Sequence, residues 1–221
     1  MKPSPITLCA CIVVATPAAL AAVGQDNLND ANRQVRQSVD IVNQMQRDPQ
    51  LAQLLKNSSG VFIVPRYGRG AAVVGAQGGA GVVLAHRDGK WSDPAFFNMG
   101  GISVGAQVGG AGGSIAMIMT NDKALNMFEN QANNFSLNAN ADLTVIKYSG
   151  DAQASAGKGD VVLWSDTKGA FVGASIGVSD IKRDQAENTA FYGRQLTPKQ
   201  ILGGQVNEQK AGSLRQALAS P

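Results

Sequence analysis

The chain contains the segment Val74-Gly75-Ala76-Gln77-Gly78-Gly79-Ala80-Gly81 and repeats it, thirty residues later, as Val104-Gly105-Ala106-Gln107-Val108-Gly109-Gly110-Ala111-Gly112. Glycine weakens a strand, because it loses more backbone entropy than other residues and has no side chain to pack. Strands keep it where they curve sharply or where another backbone approaches closely. We therefore predict curved, closely packed strands around Gly75, Gly78, Gly105 and Gly109.

Outward from this block, the pattern alternates between short apolar runs and turn residues. Asp88-Gly89 is a strong hairpin signal between two such runs. The predicted strands are 61–65, 70–77, 80–87, 100–108, 112–120, 141–149, 160–166 and 169–178. Residues 133–140 are polar and rich in asparagine, which predicts a loop.

Helical spacing of apolar residues appears at both ends of the chain and once in the middle. The predicted helices are 26–47, a second one from Pro49 to just before Gly60, 120–133, 198–203 and 205–219. The order lacks regular β-α alternation, which favours an α+β fold over a parallel sheet. We predict a curved, Gly-rich antiparallel sheet, or a partly closed barrel or sandwich, with N-terminal, middle and C-terminal helices packed on it.

The first residues have the pattern of an export signal. A basic start is followed by an apolar run from Ile6 to Leu20, and Ala19-Leu20-Ala21 fits a small-x-small cleavage site. The predicted division is a signal peptide (1–22), an N-terminal helical segment (23–59), a β-rich domain (60–204) and a C-terminal helix and tail (205–221). The expected location is the periplasm or outer membrane, or outside the cell.

Both cysteines, Cys9 and Cys11, fall inside that signal. The processed domain would then have no disulfide and no cysteine metal site. The text around Cys11 also resembles a lipoprotein signal, so an acylated Cys11 is the alternative start of the mature chain. One acyl chain gives only marginal, reversible anchoring.

Composition argues against several classes of function. The formal net charge is +3, too weak for a nucleic-acid-binding protein. The Gly-rich runs lack the Lys-Ser/Thr ending of a nucleotide-binding loop and open no βαβ unit. His86 is the only histidine, and Asp88 and Asp93 are better explained as turn residues than as paired acid-base groups. We expect no catalytic residues, no metal, no cofactor, no nucleotide and no nucleic acid.

Several blocks resemble the SYLF family of lipid-binding domains over roughly residues 38–205. The matching text comprises Gly60-Val61-Phe62-Ile63-Val64-Pro65, Gly75-x-x-Gly78-x-x-Gly81, Gly89-Lys90-Trp91-Ser92-Asp93-Pro94, Gly100-Gly101-x-Ser103-x-Gly105-x-Gln107-x-Gly109, Met119-Thr120-Asn121, Lys168-Gly169-Ala170-Phe171-x-Gly173-x-Ser175 and Phe191-Tyr192-Gly193. The Trp-Ser-x-Pro and Gly-x-Gln-x-Gly blocks are specific in combination.

The resemblance implies phospholipid binding. Eukaryotic members bind phosphoinositides and some contact actin, but this chain is more similar to exported bacterial members. Phosphoinositides are then not the expected lipid. We expect no appended actin or adaptor module. His86 stands where eukaryotic members often carry a basic residue before the turn. Actin regulation is not carried over.

Six basic residues flank turns or strand ends and are the candidate lipid-binding residues. They are Arg66, Arg69, Arg87, Lys90, Lys182 and Arg183. Arginine suits bidentate contact with phosphate; the competing interpretation is scattered solubilising charge. Trp91 is interpreted as a core aromatic behind the turn, with insertion into a membrane as the alternative.

Together these observations predict a non-enzymatic phospholipid-binding protein of the bacterial cell envelope. Basic side chains, with Gly-rich backbone amides beside them, would meet lipid phosphates at the membrane surface. The alternative is a structural envelope protein that acts by self-association or protein contacts. A homo-oligomer is compatible with either function.

Overall fold

The computed structural model describes residues 17–69, 77–100, 102–103, 113–130, 134–137, 143–148, 159–166, 177–178 and 180–220. The helices are α1 (Pro17–Met45), α2 (Pro49–Lys56), α3 (Asp122–Asn130), α4 (Gln185–Tyr192), α5 (Pro198–Leu202) and α6 (Gly212–Ala219), with a 3-10 turn at Gln209–Ala211. The strands are β1 (Gly60–Arg69), β2 (Gln77–Arg87), β3 (Lys90–Trp91), β4 (Ala95–Met99), β5 (Ile102–Ser103), β6 (Gly113–Met119), β7 (Val145–Lys147), β8 (Val161–Ser165), β9 (Gly177–Val178) and β10 (Ile181–Arg183).

Eight of the described strands form one mixed sheet in the order β10-β4-β2-β1-β6-β8-β7, with β3 paired to β2. Every pair is antiparallel except the parallel pair β7–β8. The short strands β5 and β9 pair separately. This arrangement confirms the predicted α+β class. Over the described residues the sheet does not close on itself. Of the predicted alternatives, the open sheet is therefore observed and the barrel is not.

Helices cover both faces of the sheet, which explains why its central strands are apolar at nearly every position. On one face Phe62, Val83 and Met117 pack against Leu125 and Phe128 of α3. The opposite face is covered by α1, α2, α4 and α6. Its core residues include Ile63, Leu84, Ile118, Val42, Leu55, Phe191 and Leu214. Strands buried on both faces read as continuous apolar runs and not as an alternation.

β1 bends where its apolar run ends. Its pairing register with β2 shifts by one residue between Ile63 and Gly68, and its register with β6 shifts between Val64 and Tyr67. One extra residue in β1 therefore bulges around Pro65, which is a position where a strand tolerates proline. The bulge lies in β1, opposite the Gly-rich start of β2, and not at the glycines for which strand curvature was predicted.

The close backbone approach predicted for Gly78 is also observed. A Cβ at Gly78 would lie 2.6 Å from the carbonyl oxygen of Met99, and one at Gly79 would lie 2.5 Å from that of Arg66. Real Cβ atoms do not tolerate such distances. Gly75, Gly105 and Gly109, which carry the rest of this prediction, lie outside the described residues, as do most of the predicted strands 70–77 and 169–178.

Most predicted helices are confirmed, with changes in their bounds. α1 begins at Pro17, inside the predicted signal peptide, and ends near the predicted position. Asp48 caps α2 by accepting hydrogen bonds from the backbone N–H groups of Gln50 and Leu51. Strands β3, β4 and β10 and helix α4 were not predicted. The predicted helix 205–219 is a 3-10 turn followed by the shorter helix α6.

Candidate functional site

A cleft of about 600 Å³ opens between α1 and one end of the sheet. Its lining comes from α1, the β1 bulge, the Gly-rich start of β2, the end of β4, the start of β10 and α4. The residues concerned are Asp30, Arg33, Gln34, Gln37, Pro65, Arg66, Gly68, Gly78, Gly79, Ala80, Asn98, Met99, Gly100, Asn134, Asp180, Lys182 and Glu187. Two of the six predicted basic residues, Arg66 and Lys182, are among them.

Backbone geometry explains how the two basic residues reach the same cleft. The β1 bulge holds Arg66 beside Gly79, because the Arg66 carbonyl oxygen is what a Cβ at Gly79 would meet. Lys182 pairs with Asn98 across the β4–β10 ladder, and Asn98 pairs with Ala80 across β2–β4. Glycines at this end of the sheet therefore bring the strands close enough to put both cations on one cleft.

Arg66 and Lys182 are both exposed, so they lie at the mouth of the cleft. Among the described residues neither forms a salt bridge. Arg33, the third basic residue of the cleft, is different because it pairs with Asp30 one helical turn before it. The mouth therefore offers two cations whose charge the described part of the protein does not neutralise.

Buried polar groups form the inner part of the cleft. Gln34 of α1 is 6% exposed and Glu187 of α4 is 8% exposed. The Gln34 Nε2 donates a hydrogen bond to Glu187 Oε2 at 2.5 Å. Asp184 caps α4 by accepting from the Glu187 N–H at 2.9 Å, and it accepts from Asn98 Nδ2 at 2.8 Å. This chain of contacts joins α1, α4 and β4.

The carboxyl group of Glu187 titrates far above its ordinary range. Burial is the main cause, and the negative charges of Asp184 and Asp30 add to it, so the pKa rises from 4.5 to about 7. The hydrogen bond from Gln34 and the charge of Arg33 oppose the shift only in part. The inner end of the cleft therefore disfavours additional negative charge.

The other predicted basic residues lie elsewhere. Arg87 and Lys90 face each other across the β2–β3 hairpin, and Arg87 Nη1 contacts Glu129 Oε1 of α3 at 2.8 Å. Arg87 lies eight positions after Gly79 on β2, which is about 26 Å of strand. Half-buried Arg183 alternates with Lys182 on β10 and so faces away from the cleft. Arg69 ends β1, but its side chain lies outside the described residues.

The segment 91–94 connects parts of the fold and does not contribute to the cleft. Trp91 is 8% exposed and stacks on His86 with ring centroids 4.5 Å apart, which confirms the core interpretation. Ser92 Oγ accepts from the Ala85 N–H at 2.9 Å. Asp93 is buried against Arg215 of α6 and accepts from the Glu208 N–H at 2.6 Å. Asp93 was interpreted as a turn residue, but it anchors the C-terminal segment.

The turn before this segment has the predicted form. Asp88 and Gly89 both have positive φ, at 51° and 72°, as a type I′ hairpin requires. His86 is half-buried at the edge of the core, where its Nδ1 lies 3.0 Å from the Ser58 carbonyl oxygen. Within the described part of the chain, no three His, Cys, Asp or Glu side chains group as metal ligands would.

Four polar residues of this network were not predicted from the sequence: Gln34, Asn98, Asp184 and Glu187. Two signals were available. Gln34 and Ser38 interrupt the apolar stripe of α1 at positions that the helical period places on its buried face. Asp184 with Glu187 three residues later also has the spacing of a capping box at a helix start. The contact between Gln34 and Glu187 joins residues 153 positions apart, which no local pattern reveals.

Comparison with known proteins gives consistent matches. A family model described as "Ysc84: Las17-binding protein actin regulator" matches residues 100–221. Protein YSC84 of Saccharomyces cerevisiae is 30% identical over 158 residues, covering 69% of this chain and 34% of that protein. SH3 domain-containing YSC84-like protein 1 of Rattus norvegicus is 28% identical over 138 residues, covering 61% of this chain and 40% of that protein. The chain thus spans between a third and two fifths of the length of these relatives.

Within the described ranges, no helix combines the length and the apolar character needed to cross a membrane.

Proposed function

The chain belongs to the Ysc84 family of SYLF domains, and from that premise we propose that it is a non-enzymatic phospholipid-binding protein of the bacterial cell envelope. The observation that carries the proposal is the pair Arg66 and Lys182 at the mouth of one cleft, exposed and without salt bridges among the described residues. Cations in this state are free to contact a lipid phosphate.

The mode of binding is peripheral attachment. Each well-placed Lys or Arg contributes about 1 kcal/mol of attraction to an anionic membrane surface. Two such residues give a weak, reversible attachment. At physiological ionic strength, dissolved salt largely screens the attraction between exposed charges that are more than about 8 Å apart. The backbone of Gly78, Gly79 and Gly100 lines the same cleft as the two cations.

The test is vesicle flotation of the folded protein with and without anionic lipid over a series of salt concentrations. We expect binding to anionic vesicles that weakens as salt rises. Arg66→Gln with Lys182→Gln should reduce binding severalfold with an unchanged melting temperature. The control is Arg194→Gln with Lys199→Gln, which removes the same charge from exposed positions outside the cleft. Equal binding by both double variants would contradict the proposal.

A structural envelope protein that acts through protein contacts is the second candidate. The names of the family and of its relatives favour it, because they describe Las17-binding and SH3 domain-containing proteins. Apolar self-association would persist or strengthen at high salt, whereas headgroup binding weakens. Sedimentation of the lipid-free protein at low and high salt separates the two: a salt-resistant oligomer that ignores vesicles would favour the second candidate.

A further inference from the structure

The inner end of the cleft contains a hydrogen-bond acceptor that has no donor. Gln34 donates through Nε2 to Glu187. The ionised carboxylate can only accept, so in that state this contact fixes which way the amide points. Its Oε1 is buried and has no hydrogen-bond partner among the described residues. A buried acceptor without a donor costs free energy. A donor from outside the chain would remove that cost.

A second acceptor lies one helical turn further along α1. Gln37 also lines the cleft, and its Oε1 is likewise buried without a partner in the described part of the chain. With the carboxyl group of Glu187, the cleft therefore presents three acceptors. The complementary group is one that carries several N–H donors and a positive charge, since Glu187 is ionisable.

The charges around Glu187 also favour a cation. Asp184 faces it from its own element, and Asp30 and Arg33 face it from α1. Asp30 and Arg33 neutralise each other, which leaves an excess of negative charge at the inner end. Arg66 and Lys182 lie at the mouth, and Asp180 lines the same cleft. A bound cation inside and an anion at the mouth would match this separation of charge.

We propose that the cleft binds a primary ammonium group carried on a phosphate ester, the chemistry of a phosphoethanolamine headgroup. The ammonium, with three N–H donors, faces Gln34, Gln37 and Glu187, and the phosphate faces Arg66 and Lys182. A trimethylammonium group has no N–H donors, and its recognition relies on aromatic cages. The described lining of the cleft contains no aromatic side chain. The inference rests on the proposed function and names the headgroup class for that site.

The soluble probes are glycerophosphoethanolamine and glycerophosphocholine, phosphodiesters that differ only in methylation of the nitrogen. Titration calorimetry on the folded protein should show about tenfold tighter binding of the ethanolamine ester, since a hydrogen bond to a charged group is worth about that factor. Gln34→Met keeps the side-chain length, removes the acceptor and should abolish the preference. Gln44→Met, at an exposed position of the same helix, should leave it unchanged.

The affinity should also depend on pH through Glu187. The carboxyl group ionises with a pKa of about 7, and only its ionised form attracts the ammonium. Between about pH 6 and about pH 8 neither the phosphodiester nor the ammonium titrates, so affinity should rise with pH in the wild type. Glu187→Gln should bind weakly and without that pH dependence. This variant also keeps the test valid if Gln34→Met fails to fold.

A vesicle experiment separates a lipid source from a free ester. Vesicles with the same anionic fraction are made with either phosphatidylethanolamine or phosphatidylcholine, and we expect tighter binding to the former. If the soluble ester binds but no vesicle does, the ammonium site stands and the proposed membrane attachment fails. If anionic vesicles bind with no preference for ethanolamine and the two soluble esters bind equally, the attachment stands and the inference is overturned.

Discussion

At the scale of single residues, Gly81 shows most directly that the packing of the sheet requires glycine in the Gly-rich segment. A Cβ there would collide with the carbonyl oxygen of Ile63 and would lie 2.9 Å from both Phe62 Cε2 and Val64 Cγ2. Those neighbours are β1 backbone and fully buried side chains, so none of them can move aside cheaply. β1 and β2 can pack this closely beside the bulge only because position 81 lacks a side chain.

Gly81→Ala should therefore lower the free energy of unfolding by about 1–3 kcal/mol, the usual cost of overpacking a core. The matched control is Gly212→Ala in α6, where a new Cβ meets nothing within 4 Å and φ is −56°. The control should be neutral or slightly stabilising, because alanine restricts the unfolded chain. Urea denaturation of both variants measures the difference. Equal midpoints would refute the close-packing explanation of Gly81.

At the scale of elements, the segment 91–94 fixes the β2–β3 hairpin to the C-terminal part of the fold. Asp93 is 1% exposed, pairs with Arg215 and accepts from the Glu208 backbone. The Tyr192 hydroxyl donates to the Pro94 carbonyl oxygen at 2.6 Å, which adds a contact to the end of α4. Three elements distant in sequence are thus joined through two adjacent residues.

Arg215→Met should lower the free energy of unfolding by about 1–3 kcal/mol, because it leaves the Asp93 carboxylate buried with only its backbone donor. Arg33→Met breaks the exposed pair with Asp30 and should cost no more than about 0.5 kcal/mol. Denaturant titration at neutral pH compares the two variants directly. A loss for Arg215→Met as small as that of the control would mean that Asp93 does not depend on the pair.

Sequence patterns predicted the helices and strands that local interactions determine. They failed for those that depend on contacts between residues distant in sequence. The starts of α2 and α5 follow from Asp48-Pro49 and Thr197-Pro198. The Asp48 and Thr197 side chains cap the first turn, and each proline occupies the first helical position. Helix α4 was missed because its buried residues include Glu187 and Asn188, and polar residues on the inner face hide the apolar period.

The same contrast holds for the cleft. Arg66 and Lys182 were predicted as binding residues from their position beside turns and strand ends, and both lie on the cleft. Gln34 and Glu187, which line the same cleft, could be recognised only in the folded structure, because their contact joins residues 153 positions apart. Arg87 matched the same sequence criterion but is paired with Glu129 of α3.

At the scale of the whole molecule, helices cover both faces of the central sheet. The cleft consequently lies at one end of the sheet, beside the middle of α1, where residues 30–37 line it. The same helix reaches back to Pro17, past the predicted cleavage site. Processing would then shorten α1 without removing the cleft, provided that the packed part of the helix begins further along.

The packing of α1 supports this division, and it defines the last prediction. Residues 22–26 are exposed, Val23 by 58%, and Ala31 is the first buried residue among the α1 side chains that the structure describes. A chain that starts at Val23 should melt at the same temperature as one that retains residues 17–22. A chain that starts at Val35 loses Ala31 and Gln34 and should melt several degrees lower, since about 1 kcal/mol shifts the melting temperature of a domain this size by about 2–4 °C. Mass spectrometry of the protein from envelope fractions should find an N-terminus between residues 21 and 25. A mature chain that starts at an acylated Cys11 would instead support the lipoprotein alternative. In the melting experiment, equal melting temperatures of the chains that start at Val23 and Val35 would show that α1 packs less tightly than the structure indicates.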